Sequence, residues 1–156
     1  SEQSSQVMSM IQAWWANVEG SIQSRRVEQL ELALKEVHGA SYMGTIKAVR
    51  RCGALKKEER HSLETEISAR LVNARALLGK WKSGLQEIRE AREARDPHAL
   101  REALGKWRFA EDDPEISATH ADLTRWQTLS AALPPVLQAA VSNLDILQIQ
   151  ECLGAL

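Results

Sequence analysis

The longest uninterrupted helical pattern in this chain runs from about Glu58 to Arg95, with no proline inside it and only two glycines, Gly79 and Gly84. Leu63, Ile67, Leu71, Ala74, Leu78, Trp81, Leu85 and Ile88 recur at spacings of three and four, which puts all eight on one stripe of a helix. Glu64, Glu66, Arg70, Arg75, Lys80, Lys82, Glu87 and Arg89 fall off that stripe and stay in water. At ~1.5 Å per residue such a helix is about 50 Å long, so shorter helices must line up along it. A glycine costs about 1 kcal/mol against alanine in a helix interior. Gly79 and Gly84 therefore call for a reason, either the close approach of a neighbouring backbone or a bend.

The rest of the composition points the same way. Aromatics make up 4% of the 156 residues, β-branched residues rarely alternate with polar ones, and Ala, Leu, Glu, Arg, Gln and Lys dominate. The expected fold is all-α, without a sheet: helical hairpins in a bundle or short α-solenoid around the central helix at 58–95. A chain of this length reads as one domain spanning 1–156. Its net charge of −1, from 20 basic and 21 acidic side chains, supplies no global field to steer it onto nucleic acid. No run approaches the ~18 apolar residues of a membrane span. Cys52 and Cys152 lie too far apart in sequence for a disulfide framework or a metal knuckle, which favours a reducing, cytoplasmic setting. The start lacks an initiator Met and a signal-peptide pattern, and the end reads as helix without a terminator, so the sequence reads as a piece of a longer chain.

Before the long helix, Val7, Met10, Ile11, Trp14, Trp15, Val18 and Ile22 recur at helical spacing. Two adjacent tryptophans cannot point the same way, so one enters the core while the other caps its edge or meets a partner. A second helix, from about Arg25 to Val37, turns Val27, Leu30, Ala33, Leu34 and Val37 inward, and Gly39 stops it. Tyr42, Ile46, Val49 and Leu55 hint at a third, weakened by Gly44 and Gly53. After the long helix, Asp96-Pro97 carries an N-cap signal and opens a short helix to about Phe109, with Leu100, Ala103, Leu104 and Trp107 as its buried stripe. Asp113-Pro114 repeats the signal for a helix to Leu133, with Ile116, Leu123, Trp126, Leu129 and Leu133 inward. Pro134-Pro135 interrupt it, and a short continuation leads to a last helix from Ser142, holding Ile149, Cys152, Leu153 and Leu156. Seven or eight helices are expected in all.

Three short helices share one pattern: Leu30, Ala33, Leu34, Val37; Leu100, Ala103, Leu104, Trp107; and Ile149, Cys152, Leu153, Leu156. Asp96 and Asp145 precede the second and third copies at the same offset, where the first has Arg26, and the segment 39–57 reads as a basic insert in the first unit. This D-x-x-x-L-x-x-A-L pattern resembles the helical repeats of large multidomain scaffold and signalling proteins, particularly those of protists. The resemblance implies stacked helix pairs used for binding. The consensus patterns of the tetratricopeptide and ankyrin families are absent.

Catalytic constellations are not evident. His38, His61, His98 and His120 lack second ligands at metal spacing, and the single Glu58-x-x-His61 pair is half of what a di-iron site needs. There is no G-x-S-x-G and no phosphate-cradling glycine loop. The expected function is a non-enzymatic protein-interaction or scaffold module with no metal or cofactor. Lys47, Arg50, Arg51, Lys56 and Lys57 concentrate five of the 20 basic side chains in one short span. With Trp14 and Trp15 they are the candidate partner-binding residues. A basic amphipathic segment over 42–57 suits a calmodulin- or centrin-like EF-hand protein or an anionic lipid surface, which would meet Ile46, Val49 and Leu55 together with the charges. Leu78 to Lys82 and Leu104 to Arg108 are near copies that loosely resemble centrin-bound helices, although Pro97 keeps them off one continuous helix.

Overall fold

The computed structural model describes residues 2–132, together with 135 and 150. Among these the chain is all-α, with six helices and no strand: α1 (Glu2–Ser24), α2 (Val27–Val37), α3 (Ala40–Arg51), α4 (Lys57–Glu93), α5 (Pro97–Lys106) and α6 (Pro114–Ala132). The helices expected after Pro135 lie outside the described residues. Contacts group the chain into two compact units divided between Ser83 and Gly84, within α4. The reading of 1–156 as one domain did not anticipate that grouping.

In the first unit, α1 buries Ile11, Trp15, Val18 and Ser21, which are three or four residues apart, and packs on α2 and α3. Trp15, Val18, Leu30, Ala33, Leu34, Val37, Leu71 and Ala74 form one apolar cluster. Ile11, Ile46, Val49 and Ile67 form another, and Trp14 and Tyr42 pack against both. Complete burial of a side chain such as Leu30 contributes ~1.5–3 kcal/mol. The second helix starts two residues later than its periodicity suggests, because Arg25 adopts left-handed backbone (φ 56°) that ends α1. Gly39 begins α3 as well as following α2: at φ 81° and ψ −131° it holds a conformation that disfavours any side chain. α3 is a full helix despite Gly44, whose Cβ position faces open space. Its basic end is tied to α4 by Arg50 Nε to Glu64 Oε1 (2.5 Å), and Arg60 Nη1 donates to the Arg50 carbonyl (3.1 Å). That carbonyl is one of the acceptors a helix C-terminus leaves unpaired.

In the second unit, the end of α4 turns at Arg95 (φ 52°) into α5. Asp96 Oδ1 accepts from the amides of His98 and Ala99, both at 3.1 Å, with Pro97 at the first helical position, as the sequence signal implies. Asp113 does the same for α6, accepting from Glu115 N at 3.0 Å. Ile88, Ala91, Leu100, Ala103, Phe109, Ile116 and Leu123 supply the buried apolar side chains. Trp107, expected inside α5's stripe, instead ends that helix half-buried, with its amide donating to Ala103 O. Its indole lies over Gly84. A Cβ built on Gly84 would come within 2.6 Å of Trp107 Cγ and Cε2, and closer still to Cδ2. A side chain, not a backbone, is therefore what Gly84 admits, while Gly79 meets nothing within 4 Å.

The two units share a turn. Arg25 and Arg95 are the only non-glycine residues with positive φ among the described residues, and they stand 70 positions apart. Arg25 N donates to Ile22 O and Arg95 N to Arg92 O; Leu30 N donates to Arg26 O and Leu100 N to Asp96 O. Each bond has its counterpart at the same offset. Trp14 Nε1 donates to Val37 O (3.1 Å), and the positions equivalent to this pair are Gly84 and Trp107. An indole bridges the two helices in both units, carried by the first helix in one and by the end of the second helix in the other.

Candidate functional site

The stretch from Gly39 to Lys57 contains no acidic residue and five basic ones. Helix geometry sorts them. Ile46, Val49 and Cys52, three residues apart, face the core and are at most 6% exposed, so Lys47, Arg50 and Arg51 must face outward. Lys56 and Lys57 follow a tight turn in which Leu55 N donates to Cys52 O at 3.3 Å. The result is a basic corner at the end of α3 and the start of α4, with all five side chains exposed. Arg50 is committed to Glu64. Lys47, Arg51, Lys56 and Lys57 make no ion pair or hydrogen bond within the described residues. Elsewhere six basic side chains have acid partners: Arg70 with Glu66, Lys82 with Glu31, Arg89 with Glu115, Arg92 and Arg125 with Asp122, and Lys106 with Glu87. Positive charge at the end of α3 suits its dipole, but Lys56 and Lys57 open α4, where the dipole opposes them.

One expectation about this segment needs correcting. Ile46 and Val49 were to meet a partner alongside the charges, yet they are packed on Ile11 and Ile67, and only Leu55 remains half-buried. The apolar stripe of α3 is used to hold the helix down, which spacing alone does not reveal. The adjacent tryptophans divide as their spacing implies, one in the core and the other at its edge. Trp15 is 7% exposed in the core. Trp14 is half-buried, with its ring centroid 5.4 Å from that of Trp15 and 6.3 Å from Tyr42, and with its N–H used on α2's last carbonyl. The indole pair thus supports the floor beneath α3 rather than extending the basic corner.

The sequence reading missed a second concentration of charge. Arg89, Arg92, Glu93, Arg95, Asp122, Arg125 and Trp126 line a cleft of about 500 Å³ between the end of α4 and α6. Its signal was available as arginine at every third position, Arg89, Arg92 and Arg95, on the last turns of a helix. Arg89 clasps Glu115 with both ends of its fork (2.6 and 2.9 Å), and Arg92 Nε donates to Asp122 Oδ2 at 2.8 Å. Donation from Arg89 holds the Glu115 carboxyl below its ordinary value, with the charges of Arg89 and Arg92 adding to the effect and burial opposing it. Glu31 and Glu87 are lowered in the same direction, first by hydrogen bonds from Lys82 and Trp107 respectively.

Among the described residues, no three His, Cys, Asp or Glu side chains are grouped to hold a metal ion. No helix among them is long and apolar enough to cross a membrane. Comparison of the chain with protein-family models, with curated proteins and with solved structures finds no match.

Proposed function

We propose that this chain is a non-enzymatic helical interaction module, a scaffold element that holds an acidic segment of a partner protein against the basic corner at 47–57. The observation that carries this reading is the set of four cations without an ion pair or hydrogen bond among the described residues, Lys47, Arg51, Lys56 and Lys57, gathered at the end of a stretch from Gly39 to Lys57 that contains no acidic residue. Four like charges held together by a folded corner raise the local concentration of anionic partners and set orientation more than raw affinity. The matched turns at Arg25 and Arg95 support the likeness to stacked helix-pair repeats of scaffold proteins. Cys52, a free and buried thiol, fits the cytoplasmic setting proposed with it.

An EF-hand partner needs the apolar face of a basic helix as well as its charges. Ile46 and Val49 are inside, so such a partner must pull α3 off the core. An anionic lipid surface is the second reading, favoured by Met43, which is 45% exposed one turn before Lys47. The test is retention of lysate proteins by the immobilised chain and by a variant with Lys47, Arg51, Lys56 and Lys57 changed to Gln, in calcium and in chelator. Co-sedimentation with phosphatidylserine vesicles forms a separate arm. Calcium-independent retention lost in the variant supports the proposal. Equal retention by both chains contradicts it, and binding to vesicles alone moves the function to a membrane.

A further inference from the structure

We infer that the cleft between the end of α4 and α6 binds a small phosphate ester bearing a planar ring, a mononucleotide in chemical class, through Arg92, Arg95, Arg125 and Trp126. The guanidinium fork matches phosphate oxygens two at a time, which an ammonium group cannot do. Here Asp122 accepts from Arg92 at 2.8 Å and from Arg125 at 3.4 Å, so one carboxylate holds two guanidinium groups side by side that would otherwise repel. Arg92 is pinned further by Nη1 to the hydroxyl of Thr119, a fully buried residue, at 3.5 Å. Both arginines keep N–H groups beyond those these contacts use.

Arg95 completes the set. Its left-handed backbone places it at the rim where α4 ends, and it has no acid partner within the described residues. Arg89 and Glu115 cancel each other. Arg92, Arg95 and Arg125 then face Glu93 and Asp122, leaving a positive excess in a chain whose net charge is −1. Trp126 lines the same space, half-buried, and offers the flat apolar surface on which a base stacks. A volume of about 500 Å³ lies within the range of small-molecule sites. The basic corner of the other unit, by contrast, is mostly lysine. The two sites share no residue, so either can fail without the other.

Calorimetric titration of the full chain with AMP, adenosine, ribose 5-phosphate and inorganic phosphate tests the inference. AMP is expected to bind, adenosine to give no heat, and inorganic phosphate to bind roughly tenfold more weakly than AMP. Arg95→Gln and Arg125→Gln should each weaken AMP binding roughly tenfold with an unchanged circular dichroism spectrum. Trp126→Leu should bring AMP down to the affinity of ribose 5-phosphate. Absence of AMP binding, AMP affinity unaltered in both arginine variants, or AMP binding no tighter than inorganic phosphate overturns the inference.

Discussion

The indole of Trp107 occupies the space that a side chain on Gly84 would need, and donates its N–H to Glu87 Oε2 at 2.8 Å, one helical turn further along α4. Lys106 lies 5.2 Å from the ring centroid and pairs with the same carboxylate. Gly84→Ala must therefore push an aromatic ring off both partners. Overpacking of that kind costs ~1–3 kcal/mol, more than the ~1 kcal/mol that alanine gains in helix propensity. Gly79→Ala, with open space around it, should stabilise by up to about 1 kcal/mol. Urea denaturation of the two variants should give opposite signs, and adding Trp107→Leu to Gly84→Ala should recover part of the loss.

Equivalence of the two turns leads to a second expectation. Asp96 caps α5 through two amides, whereas Arg26, at the same position before α2, makes no side-chain cap. Arg26→Asp should raise stability by about 1 kcal/mol and Asp96→Arg should lower it by a similar amount. Melting temperatures that move in neither variant would contradict the equivalence.

The lowered Glu115 carboxyl makes the second unit sensitive to acid. Its folded pKa lies below its unfolded one, so its contribution is complete above about pH 4.5 and is lost as pH falls through the folded value. Between about pH 5 and about pH 3, the wild-type denaturation midpoint should fall more steeply than that of Glu115→Gln. Parallel curves would mean that the Arg89 clasp adds nothing to stability.

Much of this architecture is legible in the sequence because local chemistry decides it. Asp96-Pro97 and Asp113-Pro114 act within one turn, and the stripes from Leu30 to Val37 and from Leu63 to Ile88 are periodic. What the sequence hides depends on neighbours in space. Arg25 and Arg95 hold left-handed backbone that residue type does not announce. Gly84 and Gly79 look alike until Trp107 is seen over one of them. The basic charges of α3 are legible as a cluster. That Ile46 and Val49 point into a core built with Ile11 and Ile67 is not, because a partner and a neighbouring helix demand the same stripe.

The central claim is that the basic corner docks an acidic partner, and one binding measurement at two salt concentrations tests it most directly. The chain with Lys47, Arg51, Lys56 and Lys57 changed to Gln should keep its melting temperature, because exposed unpaired charges contribute little to stability. Its affinity for the protein retained by the wild type should fall, and the dependence of that affinity on salt should become shallower. An unchanged affinity with an unchanged salt slope would contradict the account.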